Sequence, residues 1–301
     1  MNKFFLKLFN KKKYLDYKNR LQEIKNFDLY NKIVIPDIKK ITLALATKKK
    51  INFLHSGHLG DVVNSMPIIK EISINSVCNL YLETDKKIPE EFFYNDHPFG
   101  NNYLTKGATK KLIPLLEKQN YISRVKKFEG EEIDINLNLF RKWPINFNID
   151  SIRWYFHLTG KHADLINPYI IVEPHNKIIN RIVIMRSLRR QNKLISYEFL
   201  NKYENPLFVG LYKEYESLKK IIKNLDHYEC DDFLELASII KSAKVFIGNP
   251  SFGYALAESI KVKRLLESAP NFPLVYPNGK NAYDFYFQSH FESLFEKLYK
   301  S

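Results

Sequence analysis

The sequence predicts an α/β protein made of two Rossmann-like domains. Short apolar runs at 51–54 and 182–185 are each followed by a polar loop and a segment with helical spacing, and strand and helix patterns then alternate along both halves. Such alternation is typical of parallel sheets covered by helices. A chain of 301 residues is long enough for two domains of this kind.

The composition predicts a folded, basic protein. Hydrophobic residues make up 45% of the chain and the formal net charge is +14. This charge favours anionic partners such as nucleotide phosphates, acidic glycans, nucleic acid or a membrane surface, and a solvated basic surface is the alternative. Cys78 and Cys230 lack metal-site spacing and favour a reducing, cytoplasmic compartment. No uncharged apolar run approaches the ~20 residues of a membrane span, so no integral membrane protein is expected.

Four parts are predicted along the chain: a basic helical leader at 1–50, a first Rossmann-like domain at 51–172, a second at 173–285 and a C-terminal helix at 286–301. The leader places Phe4, Phe5, Leu8 and Leu15 among lysines. This apolar part is too short and interrupted for a signal peptide. The leader is either an amphipathic helix on the surface of an anionic membrane or a frayed or internally packed helix.

The patterns place the elements of both domains in order. In the first domain we predict strands at 51–54, 77–82 and 133–139, loops with short helices at 86–130, and an aromatic helix at 150–158. In the second we predict strands at 182–185, 207–210, 245–247 and 264–267, with helices at 213–222, 232–242 and 254–260. The interval 167–180, which contains two prolines, is the predicted passage between the domains.

The loop after the first strand is the predicted active-site turn. Its candidate acceptor or loop residues are His55, Ser56, Gly57, His58 and Gly60. Asp61 then lies at a helix N-terminus, where backbone N–H groups attract anions, although a helix-capping aspartate is the alternative. A metal site made by the two histidines and Asp61 is disfavoured, because three residues of a glycine loop need not converge. We therefore expect no metal, and the histidines either bond a substrate or pack.

The Gly60-Asp61-Val62 sequence, followed by Met66-Pro67, resembles the N-terminal motif of glycosyltransferase family 9, the ADP-heptose:lipopolysaccharide heptosyltransferases. The resemblance implies the GT-B fold, in which two Rossmann-like domains face a central cleft, and it implies that Asp61 is the catalytic base. The implied reaction is metal-independent, inverting transfer of heptose or a related sugar from a nucleotide-diphosphate sugar to a cell-surface glycan or lipopolysaccharide-type acceptor, with no cofactor.

A second segment, 233–267, resembles the nucleotide-sugar motif of the same family. Gly248 and Asn249 end a predicted strand, and Ser251 and Gly253 open a helix whose N–H groups can hold a diphosphate. Glu258 is either a ligand of the donor ribose or a solvent-facing helix residue. The family commonly has an aspartate before the Ser/Thr-Gly step and a histidine further on, and here Pro250 and Ala255 stand there. An ADP-linked donor is therefore one candidate, and the donor base and sugar stay open.

A basic loop at 185–193 separates the two motifs. Arg186, Arg189 and Arg190 could neutralise a departing diphosphate, and Lys193 is the best match to the lysine that the family places here. A solvated basic loop is the alternative. Two other functions remain open: a noncatalytic nucleotide-sugar-binding protein, suggested by Pro250 and Ala255, and a basic nucleic-acid-binding protein. The second lacks a recognition helix or aromatic RNA-binding motif, so no nucleic acid partner is expected.

Overall fold

Two parallel sheets, one from each half of the chain, form the framework of the protein. The computed structural model describes residues 7, 10–90, 97–144 and 149–301. The strands are β1 (Lys50–His55), β2 (Val77–Leu82), β3 (Arg124–Lys127), β4 (Ile135–Asn136), β5 (Ile182–Met185), β6 (Pro206–Val209), β7 (Asp226–Tyr228), β8 (Val245–Gly248), β9 (Arg264–Glu267) and β10 (Ala282–Phe285).

Helices connect and cover these strands. They are α1 (Lys11–Leu29), α2 (Ile35–Thr47), α3 (Leu59–Ser73), α4 (Lys106–Glu117), α5 (Arg153–Thr159), α6 (Tyr212–Lys219), α7 (Phe233–Lys241), α8 (Phe252–Ile260) and α9 (Gln288–Lys300). A π-helical segment, Tyr30–Val34, joins α1 to α2, and 3-10 turns occupy Leu139–Lys142 and Glu198–Lys202.

Each sheet has a point where the direction of strand addition reverses. The first sheet has the order β3-β2-β1-β4 and the second the order β10-β9-β8-β5-β6-β7, and the paired strands are parallel. The reversal falls between β1 and β4 in the first sheet and between β5 and β8 in the second. Ligands of open α/β sheets bind at the carboxyl ends of strands next to such a point. Each sheet therefore offers one binding crevice.

Helices α3 and α8 bring these two crevices together. They pack against each other near their N-termini, where a Cβ added to Gly60 would lie 3.9 Å from the Cα atom of Phe252. Both helices bury apolar side chains, including Val62 and Met66 of α3 and Leu256 of α8. Burying these side chains from both domains in one core stabilises the face-to-face arrangement.

The leader forms a helix that is packed only in its second part. In α2, Ile41 and Ala44 are buried, and the Trp143 indole N–H donates to the Asp37 carboxylate at 2.9 Å. In α1 no residue is buried. The prediction of a helical leader is confirmed over Lys11–Thr47, whereas Phe4, Phe5 and Leu8 lie outside the described residues. Within the ranges described above, the structure has no helix with both the length and the apolarity needed to cross a bilayer.

The structure confirms the α/β prediction and corrects parts of the first domain. The strand predictions at 77–82, 182–185 and 264–267 coincide with β2, β5 and β9. The segment 86–130, predicted to be mainly irregular, contains α4 and β3, and the strand predicted at 133–139 is limited to the two residues of β4. The polar side chains of Asn136 and Asn138 bond to each other there, which ends the alternating strand pattern. Strands β7 and β10 have no counterpart among the predicted strands.

Candidate active site in the interdomain cleft

A cavity of about 170 Å³ lies between the N-termini of α3 and α8. Residues of both domains line it, so each domain presents its crevice to the same space. From the first domain come His58, Gly60 and Asp61, and from the second Arg189, Arg190, Ser251, Phe252 and Glu258. The cavity therefore joins the first glycine loop, the basic loop and the start of α8.

Asp61 lies in the first turn of α3, and two donors hold one of its carboxylate oxygens. Its Oδ2 accepts from the backbone N–H of His58 at 3.0 Å and from Arg141 Nη2 at 2.6 Å. For Oδ1 the structure gives no hydrogen-bond donor among the described residues. The predicted position of Asp61 at a helix N-terminus is confirmed, and one of its oxygens is left to accept a proton or hydrogen bond from a substrate.

Arg141 is the partner of Asp61 that the sequence analysis did not identify. It lies in the 3-10 turn after β4, and its guanidinium stands 4.8 Å from the ring centre of Tyr103 and 4.9 Å from that of Phe140. Burial is the largest influence on Asp61 and raises its pKa. The charge and hydrogen bond of Arg141, with smaller contributions from His58 and His55, together outweigh burial and lower the pKa of the carboxyl group to about 2. Asp61 is therefore a carboxylate throughout the neutral range.

Replacing Arg141 by glutamine should raise the pKa of Asp61, because burial then acts without the opposing charge. In the wild type the depressed pKa stabilises the folded protein above the ordinary value of 3.8, and this contribution is lost as the pH falls towards 2. In the variant, the acid limb of the activity profile should move to higher pH. Its pH profile is compared with that of Lys142→Gln, an exposed neighbour. Superimposable profiles for the two variants would contradict this role of Arg141.

His55 links the first glycine loop to α5 through a chain of hydrogen bonds. Its Nδ1 accepts from the Gly57 backbone N–H at 3.0 Å, and its Nε2 lies 3.0 Å from the Tyr155 hydroxyl group, which donates to the Asp61 carbonyl oxygen at 2.8 Å. Burial lowers the pKa of His55 to about 3, so the ring is neutral. Nε2 then carries the proton and donates to Tyr155. His55 therefore positions the loop and does not face the cavity.

Ser56 and His58 complete the loop in different ways. The Ser56 N–H donates to Asn138 Oδ1 at 3.2 Å, which ties the loop to the end of β4. His58 Nδ1 lies 3.0 Å from the Tyr103 carbonyl oxygen, and its ring lies 4.2 Å from that of His97. His55 and His58 are therefore held by other partners, and their ring nitrogens do not converge with the Asp61 carboxylate on one point. In the part of the chain that the structure describes, no group of three His, Cys, Asp or Glu side chains is placed to hold a metal ion.

Replacing Gly57 by alanine should lower activity, because the site has no room for a side chain there. The added Cβ would lie 2.8 Å from Arg141 Nη2, 2.8 Å from His55 Cε1 and 2.9 Å from Asp61 Cβ. We expect a displaced Asp61–Arg141 pair and a fall in kcat of about tenfold to a hundredfold, the scale reached when reacting groups are misplaced by about 1 Å. Gly107→Ala is the matched control, because its Cβ would meet nothing within 4 Å. Equal rates for the two variants would contradict the prediction.

The start of α8 lies against the cavity and carries a polar side chain at its N-cap position, Ser251. Ser251 is the N-cap residue of α8, but its side chain makes no capping bond, and its buried Oγ has no hydrogen-bond partner among the described residues. Asn249, also predicted, is buried and accepts from the Ser187 N–H at 2.9 Å while its Nδ2 donates to the Ser187 and Arg189 carbonyl oxygens. Asn249 thus fixes the basic loop beside the helix N-terminus.

The predicted glycines of this motif lie behind the cavity. Gly248 ends β8, and a Cβ on it would lie 3.0 Å from the Met185 carbonyl oxygen. A Cβ on Gly253 would overlap the Met185 thioether. Both positions therefore allow α8 and β8 to approach β5 closely, and neither glycine lines the cavity.

The basic residues of the 185–193 loop have three different environments. Arg190 and Arg189 line the cavity, and the Arg190 guanidinium stacks 3.3 Å from the Phe272 ring centre and donates to the Pro250 carbonyl oxygen at 3.1 Å. Arg186 is buried and binds Glu267 through Nε at 2.6 Å and Nη2 at 2.8 Å. Lys193 is exposed and does not line the cavity. Arg190 is thus the predicted basic residue best placed to meet a ligand.

Glu258 lines the inner wall of the cavity but is fully engaged with the protein. Its carboxylate accepts from Arg264 Nε at 2.6 Å, pairs with Lys261, and accepts from the Asn278 N–H at 3.2 Å. The solvent-facing alternative is wrong, because only 2% of Glu258 is exposed. The residue holds the loop before β10 against α8.

Two facing Rossmann-like domains with a cleft at their strand-reversal points define the GT-B class of glycosyltransferase fold. No protein-family model matches the chain, and no curated protein sequence does. One similar solved structure is a glycosyl transferase family 9 protein from Veillonella parvula DSM 2008, with 11% identity, 84% of this chain and 89% of that chain covered, and a TM-score of 0.52. Another is E. coli heptosyltransferase WaaC with ADP, with 9% identity, 83% of this chain and 99% of that chain covered, and a TM-score of 0.58.

A third similar structure is E. coli ADP-heptose lps heptosyltransferase II, with 10% identity, 83% of this chain and 98% of that chain covered, and a TM-score of 0.50. Likeness at this level of identity shows the fold. The chain has the fold of the family 9 glycosyltransferases, so the GT-B prediction is confirmed.

Proposed function

We propose that the protein is a glycosyltransferase that moves a sugar from a nucleotide-diphosphate donor to an acceptor hydroxyl group in the interdomain cleft. The observation that carries the proposal is the placement of Asp61 and the α8 N-terminus on one cavity, from opposite domains. A carboxylate and an anion-binding helix end are the two groups that this reaction needs. The fold shared with heptosyltransferases, one of them solved with ADP, supports the proposal.

In the proposed step, the acceptor oxygen attacks the anomeric carbon and the bond from that carbon to the diphosphate oxygen breaks. Asp61 Oδ1 takes the hydroxyl proton, and the configuration at the anomeric carbon inverts. A carboxylate with a pKa of about 2 is ionised but weakly basic. Proton transfer therefore accompanies bond formation, when the attacking oxygen has become more acidic. Arg141 keeps the carboxylate ionised and directed into the cleft.

The negative charge that develops on the leaving diphosphate has three stabilising groups in this proposal. These are the N–H groups of the first turn of α8, the Ser251 hydroxyl group, which has no partner within the described part of the chain, and the Arg190 guanidinium. Arg186 acts indirectly, by holding the basic loop on Glu267. Contacts of Lys193 with the phosphates and of Glu258 with the ribose stay predictions, and the second requires Glu258 to release one of its present donors.

The substrates in this proposal come from the family resemblance. The donor carries heptose or a related sugar, with ADP as one candidate nucleotide, and the acceptor is a cell-surface glycan or lipopolysaccharide-type molecule; the transfer needs no metal. The cavity of about 170 Å³ is smaller than the roughly 300 to 1,000 Å³ of typical ligand pockets, so a whole nucleotide sugar would extend beyond it. Pro250 and Ala255 leave the base and sugar open.

The proposal is tested by incubating the protein with ADP-, UDP-, GDP- and CDP-linked sugars and measuring nucleotide release with and without glycan acceptors. We expect one donor to be consumed in the presence of an acceptor. Binding of a donor without release would favour the noncatalytic alternative. Binding of RNA or DNA at physiological salt, with no donor bound, would favour the nucleic-acid alternative.

A further inference from the structure

Helix α1 projects from the protein with every described side chain accessible. None of its residues is buried, and Ile24 and Phe27 are 58% and 66% exposed. At 1.5 Å per residue, its 19 residues span roughly 28 Å. A long helix that keeps large apolar side chains in water lacks the tertiary packing that normally stabilises helices. Helix α1 therefore presents exposed apolar side chains to which another molecule or a membrane can bind.

One face of α1 carries an apolar stripe, formed by Tyr14, Tyr17, Leu21 and Ile24. Their spacing of three and four residues places them along a single line on the helix. Cations flank the stripe on both sides: Lys13 and Arg20 on one side, Lys18 and Lys25 on the other.

The acidic residues of α1 lie mostly away from the stripe. Asp16 and Glu23 fall on the far side of the flanking cations by the same helical spacing. Asp28 continues the line of the stripe at its C-terminal end, where it pairs with Lys32 at 3.0 Å. The face is therefore apolar along its centre from Tyr14 to Ile24, ends at the Asp28–Lys32 pair, and is positively charged at its margins.

We propose that this face of α1 lies on an anionic membrane surface, with the stripe inserted among the headgroups and the four flanking cations beside lipid phosphates. Helices with an apolar face bordered by lysine and arginine bind such surfaces through burial of the apolar side chains and through attraction between the cations and the anionic lipids. A second copy of the helix fits less well. In a coiled coil, the residues that flank the apolar seam of one helix lie opposite those of the other helix. All four flanking residues of α1 are cations, so a pair of these helices would place positive charges against each other.

The orientation of the protein on the membrane follows from the way α1 is attached. The helix continues through Tyr30–Val34 into α2, which packs on the first domain through Ile41 and Ala44. The first domain, which carries Asp61, is therefore held close to the surface. The inference concerns binding to lipid and stands whether or not the cleft transfers sugar.

The test is flotation of the full chain with vesicles of phosphatidylcholine alone and of phosphatidylcholine mixed with phosphatidylglycerol. The charge variant replaces the four flanking cations by glutamine. Its matched control makes the same change at four exposed lysines of the two domains: Lys110, Lys118, Lys126 and Lys202. The stripe variant carries Leu21→Ser and Ile24→Ser, with Ile74→Ser and Ile179→Ser, also exposed, as its control.

We expect wild type to bind the mixed vesicles and not the neutral ones. A basic residue near an anionic surface strengthens binding by about fivefold, so the charge variant, which lacks four, should bind about 600-fold more weakly. Its control should bind within a few-fold of wild type. The stripe variant should also lose binding. Because α1 has no buried residue, both variants should keep the wild-type unfolding transition.

Three results would overturn the inference. One is failure of wild type to bind the mixed vesicles. Another is equal loss of binding in the charge variant and its control, which would mean that the overall charge of the protein attracts the lipid. The third is a wild-type dimer in sedimentation equilibrium that the stripe variant abolishes, which would identify a second copy as the occupant of the face.

Discussion

Replacing Asp61 by asparagine should lower the rate of sugar transfer by about 10²–10⁴-fold, the usual contribution of a general base. The amide keeps the shape of the carboxylate and can still accept a hydrogen bond from Arg141, but it cannot take a proton from the acceptor. We therefore expect the loss in kcat, with little change in KM for the donor. Steady-state kinetics with a nucleotide-sugar donor and a glycan acceptor measure both values.

Arg141→Gln separates loss of the base from loss of the ion pair. Both variants remove the pair between Arg141 and Asp61, which are joined at 2.6 Å, but only Asp61→Asn removes the base. Asp61→Asn should be much the slower of the two at neutral pH, with an unfolding transition close to that of Arg141→Gln. Transfer by Asp61→Asn within a few-fold of wild type would show that another group takes the proton.

Replacing Glu267 by glutamine should destabilise the second domain by about 3–5 kcal/mol, the usual result of removing one partner from a buried ion pair. Glu267 is completely buried and accepts from Arg186, from the Asn192 backbone N–H at 2.6 Å and from the Tyr197 hydroxyl group at 2.9 Å. Without the carboxylate, the Arg186 charge is left in the core without compensation. Urea-induced unfolding followed by circular dichroism measures the change in the free energy of unfolding.

The matched control for this variant is Glu216→Gln, which makes the same chemical change at an exposed position of α6. Its free energy of unfolding should stay within about 0.5 kcal/mol of wild type, as for most surface substitutions. Because Glu267 also holds the loop that carries Arg190, donor affinity should fall in the Glu267 variant and not in the control. Equal stability of the two variants would contradict the structural role given to Glu267.

The sequence revealed the parts of the site that are continuous along the chain. Asp61 and the glycine loop before it lie within one strand–loop–helix unit, and Ser251 and Gly253 lie within another, so their residue types and spacing predict their positions. Arg141 and Tyr155 are 80 and 94 residues from Asp61. They reach it because β4 pairs with β1 and α5 packs near α3, and no local pattern reports such pairing.

The sequence also does not predict which of several similar side chains is buried and which faces the cavity. Arg186, Arg189 and Arg190 lie within a segment of five residues, and their shared residue type does not indicate which of them faces a ligand. The difference arises from Glu267, which is 81 residues from Arg186 and captures that arginine in the core. Glu258 could equally be a surface residue by its helix position, and its burial follows from Arg264 on the next strand.

Calorimetric titration with ADP, UDP, GDP and CDP tests most directly whether the cleft holds a nucleotide-sugar donor. The titrations compare wild type with Arg190→Ala, and with Lys202→Ala as an exposed control. We predict that wild type and the control bind one of the four nucleotides preferentially and that Arg190→Ala binds it at least about tenfold more weakly, on the scale of a lost charge-assisted hydrogen bond. No binding of any nucleotide, or equal binding by all three proteins, would contradict a donor site beside Arg190.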